Sequence, residues 1–148
     1  MKKSYRFLIG LVLFFLLLCV RFYETTLFYD PFLVFFKKEY LYTALPEFNR
    51  FQLYTNLLFR YVLNTLLSIG LLYVVFQSKS HVKFAIKFYI GAFLLMIFLF
   101  FLLIEIDFYT GYLIPFYLRR FLIQPLFLPL LLAAFYYDTI VGTISSKE

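Results

Sequence analysis

Apolar residues in this chain come in continuous blocks, not in alternation. The first, Phe7 to Val20, follows Lys2, Lys3 and Arg6. A second fills much of the stretch between Pro46 and Gln77. A third, Phe88 to Ile104, ends at Glu105 and Asp107, and a fourth runs from Phe121 to about Val141 after Arg119 and Arg120. Each is long enough to supply most of the ~20 residues with which an α-helix crosses the bilayer's hydrocarbon core. The period-two pattern of a membrane barrel is missing, which leaves helices as the spanning element. The pattern predicts an all-α polytopic membrane helical bundle, a single domain over 1–148, with four transmembrane helices at about 5–25, 58–77, 88–107 and 119–141.

The segments between the blocks refine this. The charged start and apolar middle of the first block look like a signal peptide, but no small-x-small site follows and Leu18, not a small residue, precedes Cys19. An uncleaved first helix is expected. Asp30 before Pro31 is a helix-start signal, with Asp as N-cap and Pro at the first helical position. It predicts a short interfacial helix between helices 1 and 2, with Phe32, Phe35 and Phe36 in an aromatic belt. Lys79, His81, Lys83 and Lys87 read as an acid-free loop, and 108–118 as a second aromatic loop. Pro125 and Pro129 predict a kink in the last span.

Composition excludes the soluble alternative: 64% of the residues are hydrophobic and 15% charged, more apolar surface than a globule of 148 residues can hide from water. A net charge of +6 would suggest nucleic acid in a soluble protein. Here the basic residues cluster at block ends, so they report topology and no nucleic-acid partner is expected. Each side of the membrane carries seven, but the clusters around Lys2 and Lys79 lack acids, and the first helix usually sets orientation. Both termini are expected inside. One cysteine and one histidine exclude an internal disulfide and any Cys-based or multi-His metal site, and no cofactor is expected.

The second span carries the most informative polar pattern. Gln52, Asn56, Arg60, Asn64 and Ser68 recur every four residues, which keeps them on one slowly winding stripe. The predicted topology puts Arg21, Glu24, Glu105, Asp107, Arg119, Arg120 and Gln124 at the same outer level as Asn56, Arg60 and Asn64. Such a cluster can bind a carboxylate, a phosphate or a lipid headgroup. The alternative is internal, with Arg60 snorkelling to the surface or paired to Glu105 or Asp107, and Asn56 and Asn64 joining helices.

Three stretches together carry a family resemblance: Arg21-Phe-Tyr with Phe28-Tyr-Asp-Pro-Phe, Arg60-Tyr-Val-Leu-Asn64 with Ser68, and Arg119-Arg-Phe-Leu-Ile-Gln-Pro125 ending in Phe135-Tyr-Tyr. They resemble the exosortase F system-associated membrane proteins of flavobacteria. The resemblance implies a place in a protein-sorting system, as the exosortase's associate and without a defined role; the first function expected is a non-catalytic accessory protein in the bacterial inner membrane, whose partners would be the lipid bilayer, an exosortase or its membrane-anchored substrates. It does not carry over the exosortase's own Cys, Arg and His, because Cys19 sits in an apolar helix and His81 on the expected inner side. The alternative function is binding or carriage of an anionic lipid or a polyprenyl phosphate, with Arg60 and Arg119 or Arg120 holding the phosphate. A self-contained enzyme using Glu105 or Asp107 as base has no nucleophile or metal cluster in its favour.

Overall fold

The computed structural model describes residues 3–28, 30–37, 47–106, 111 and 113–145. Among them there are seven helices and no strand: α1 (Lys3–Phe22), α2 (Glu24–Leu27), α3 (Pro31–Phe35), α4 (Arg50–Phe76), α5 (Lys79–Glu105), α6 (Leu113–Ile123) and α7 (Phe127–Ser145). Four of these, α1, α4, α5 and α7, are long and apolar enough to cross a membrane. The expected four-span all-α bundle is what the chain forms.

The helix boundaries have local causes, and those of the third and fourth spans differ from expectation. Asn49 caps α4 by accepting from the Gln52 amide at 3.2 Å, so the helix fills most of the stretch between Pro46 and Gln77, as expected, with its outer turns ahead of the 58–77 spanning part. At its other end Gln77 adopts a left-handed conformation (φ 51°), which closes α4. Ser78 immediately caps α5, accepting from the His81 amide at 3.3 Å. The basic segment expected as a loop is therefore the opening of a 27-residue helix, ~40 Å long, with room to hold Lys79 and Lys83 beyond the hydrocarbon.

The fourth span is also shorter and later than 119–141. Pro125 has no amide hydrogen to donate and restricts the residue before it, and the chain breaks at Gln124 instead of kinking. Leu126 then bonds back to the Gln124 carbonyl at 2.8 Å, and α7 starts at Phe127. Arg119 and Arg120 consequently ride on a separate short helix, α6. Pro129 falls in the first turn of α7, where a missing donor costs nothing.

The chain doubles back at each turn. Near the N-terminus Arg6 donates to the Val74 carbonyl (3.0 and 3.2 Å) and the Val75 carbonyl (2.9 Å), filling acceptors that the last turn of α4 leaves open. This antiparallel α1–α4 pairing places the starts of α1 and α5 and the ends of α4 and α7 together, here termed the terminal end. There the His81 ring stacks on Phe135 (4.5 Å between centroids, 11° between planes) and its Nε2 lies 3.0 Å from Asp138.

At the opposite end the expected short helix is present as α3, preceded by the single turn of α2. Its aromatic residues do not form a belt. Phe32 is fully buried and meets Phe35, Phe36, Phe48 and Phe100 at ring-centroid distances of 5.1–6.0 Å, while Phe35 and Phe36 are also buried. Segment 30–36 thus turns its aromatic side chains inward, against Phe48 and Phe100. The outward faces are the apolar ones: α1 buries only Leu17 and Val20 and exposes Phe7, Phe14 and Phe15. Such a surface is stable only with lipid as its solvent.

Candidate functional site

The site forms where α1 ends and α2, α3, α4 and α6 meet. Glu24 opens α2, and its carboxylate accepts from Arg21 at 2.7 Å and from the Nη2 of Arg60 on α4. Asp30, just before α3, accepts from the Nε of Arg119 at 3.3 Å and from its Nη2, and lies 3.6 Å from the Nη1 of Arg60. Arg60 is therefore the bridge between two carboxylates, each of which serves a second arginine. The side chains of Arg60, Glu24, Asp30 and Arg119 are 2–9% exposed, whereas that of Arg21 is about half exposed.

Burial on this scale decides how the cluster should be understood. Each charge taken from water carries a desolvation cost of several kcal/mol, offset only by close partners, so the four groups stand or fall as a unit. Ring faces add to the balance, with Phe28 5.1 Å from the Arg60 guanidinium and Phe36 5.8 Å from that of Arg119. Satisfaction is incomplete: among the described residues Arg60 Nε and Nη1 have no hydrogen-bond partner. By the helix rise, Arg60 sits ~24 Å from the terminal end of α4, near the far edge of a ~30 Å hydrocarbon core.

Several expected residues assemble here and others do not. Arg21, Glu24, Arg60, Arg119, Arg120 and Gln124 come together, and Arg120 donates its Nε to the Gln124 Oε1 at 3.2 Å. Asn64 lies one turn deeper in α4, buried, and donates to the Ile123 carbonyl at 3.0 Å. That bond ties α4 to the last residue of α6, a helix-joining use of an amide. Asn56 turns back on its own helix, donating to the Gln52 carbonyl at 2.8 Å. Glu105 is not in the cluster. It pairs with Arg50 in an exposed bridge between the start of α4 and the end of α5, and Arg60 pairs with Glu24 in place of the Glu105 alternative. Asp107 lies outside the described residues.

Sequence reasoning missed Asp30 as a site residue. Its place before Pro31 points to an N-cap, yet the side chain makes no cap bond and serves two arginines instead. The available signal was a carboxylate set between Phe28 and Phe32, because a lone acid in so apolar a segment needs a cationic partner. Lys37 was also missed. It lines, with Arg21, Glu24, Arg119, Arg120 and Gln124, a cleft of about 190 Å³ on the surface of the cluster.

Cys19 and His81 are at opposite ends of the bundle, the former near the end of α1 and the latter in the first turn of α5, and cannot act as nucleophile and base for each other. Among the described residues no group of three or more His, Cys, Asp and Glu side chains is placed to hold a metal. Compared with known proteins, the chain matches no family model, no curated protein and no solved structure.

Proposed function

We propose that this chain is a non-catalytic accessory subunit of an exosortase-type protein-sorting system, acting through the charged end of its bundle. It sits in a bacterial inner membrane with both termini on the cytoplasmic side, so the charged end faces outward. One observation carries the reading. The three stretches that resemble exosortase F system-associated proteins are far apart in sequence, yet their polar residues Arg21, Asp30, Arg60, Asn64, Arg119 and Gln124 converge on one end of the fold. That convergence supports reading the three stretches together, as one site.

The chemistry fits an accessory role. Buried arginines held by carboxylates are stiff and already paired, which suits them to shaping a surface more than to proton transfer. Arg21 and the half-exposed rim then remain available to a partner. Co-purification from gently solubilised membranes, with and without crosslinking, tests the proposal. Recovery of the exosortase with the tagged chain is expected, and repeated absence of association after crosslinking would overturn it.

A further inference from the structure

The charged cleft does not end at its polar lining. Arg21 and Gln124 are shared with a second opening of about 380 Å³, which runs between α1 and α7 over Leu71 of α4 and is walled by apolar residues such as Phe14, Leu18 and Leu132. A basic pocket at headgroup depth is thus continuous with an apolar groove directed toward the bilayer middle.

Charge decides what the pocket wants. Among the described residues, Arg21, Lys37, Arg60, Arg119 and Arg120 stand against Glu24 and Asp30, an excess of three positive charges. Both carboxylates are engaged by the buried arginines. Arg120 is bonded only to the neutral Gln124, and among the described residues no carboxylate reaches it or Lys37. Guanidinium forks and a lysine at one cleft match the oxygens of a phosphate. A free anion would leave the adjoining groove unused, whereas a lipid fills both.

The geometry points to a site for one phosphate-bearing anionic lipid, its phosphate at Arg21, Lys37 and Arg120 and one of its hydrocarbon chains in the α1–α7 groove. The inference rests on the charged end being the binding end, as proposed above, and adds the ligand class. Arg119 and Glu24 are positioning residues: they hold the pocket wall through Asp30 and Arg21.

The test uses the full chain purified in detergent, with native mass spectrometry after addition of phosphatidylglycerol or phosphatidylcholine of matched chains. No exosortase is present, so the outcome is independent of the sorting proposal. Selective retention of one phosphatidylglycerol per chain is expected. The K37Q/R120Q double variant, altered only at exposed positions, should weaken it roughly 30-fold, as two basic contacts to an anionic headgroup are lost. Leu132→Trp, which fills the groove, should reduce retention while K37 and R120 stay in place. Inorganic phosphate in excess should not displace the lipid. Equal retention of both lipids, unchanged retention in K37Q/R120Q, or displacement by inorganic phosphate would each overturn the inference.

Discussion

Arg60 reaches the carboxylate of Glu24 across 36 residues of sequence, and that carboxylate also holds Arg21 at 2.7 Å. The same guanidinium lies 3.6 Å from Asp30, which in turn holds Arg119. A single buried side chain on α4 thereby joins the end of α1, the α2–α3 turn and α6. In a bundle whose lipid-facing sides are largely apolar, this is the element that sets how the charged end is arranged.

Arg60→Met should therefore be strongly destabilising. It leaves Glu24 and Asp30 buried with less compensation, a change that costs about 3–5 kcal/mol when one member of a buried pair is removed. Thermal denaturation in detergent would show the loss. Pairing it with Glu24→Gln removes both charges and should recover part of the stability, since a buried pair is worth little relative to neutral packing.

Arg50→Gln provides the contrast. Its bridge to Glu105 is exposed at both ends, with side-chain exposures of 57% and 40%, and water screens it. The loss should stay below about 1 kcal/mol in the same measurement. Equal effects at Arg50 and Arg60 would contradict the buried-cluster description.

Phe32→Ala tests the inward packing of α3. A fully buried phenylalanine touching four other rings should cost about 3–5 kcal/mol on truncation. Truncation of Phe51, which is 80% exposed, should change stability little. A lipid-facing belt at α3 would make the two losses alike and small.

Asn64→Leu keeps approximate size and removes the bond to the Ile123 carbonyl. Interhelical hydrogen bonds in membranes are modest, so a loss of about 1 kcal/mol is expected by denaturation, with α6 the first segment to gain hydrogen exchange.

How legible these features were depends on their range. The four spans follow from local composition, because a block of apolar residues needs lipid wherever it sits in the chain. The α4 seam was legible too, since four-residue spacing is a property of one helix, and Arg60, Asn64 and Ser68 are indeed buried. The partners of Arg60 were not legible. Glu24, Asp30 and Glu105 all stand at the same end, and only the folding of segment 23–36 back into the bundle chooses between them. Lys79 to Lys87 misled for a different reason. Three lysines near a predicted span resemble a loop, while the deciding signals were the small ones at Gln77 and Ser78 that end one helix and cap the next.

The sorting proposal turns on which end of the bundle meets the partner. Its most direct test is photo-crosslinking in living cells from a photoreactive residue at position 120, on the charged end, against one at position 83, on the terminal end. An adduct with the exosortase from position 120 and none from position 83 is the predicted result. Adducts confined to position 83, or none from either position with the chain present at its normal level, would contradict it.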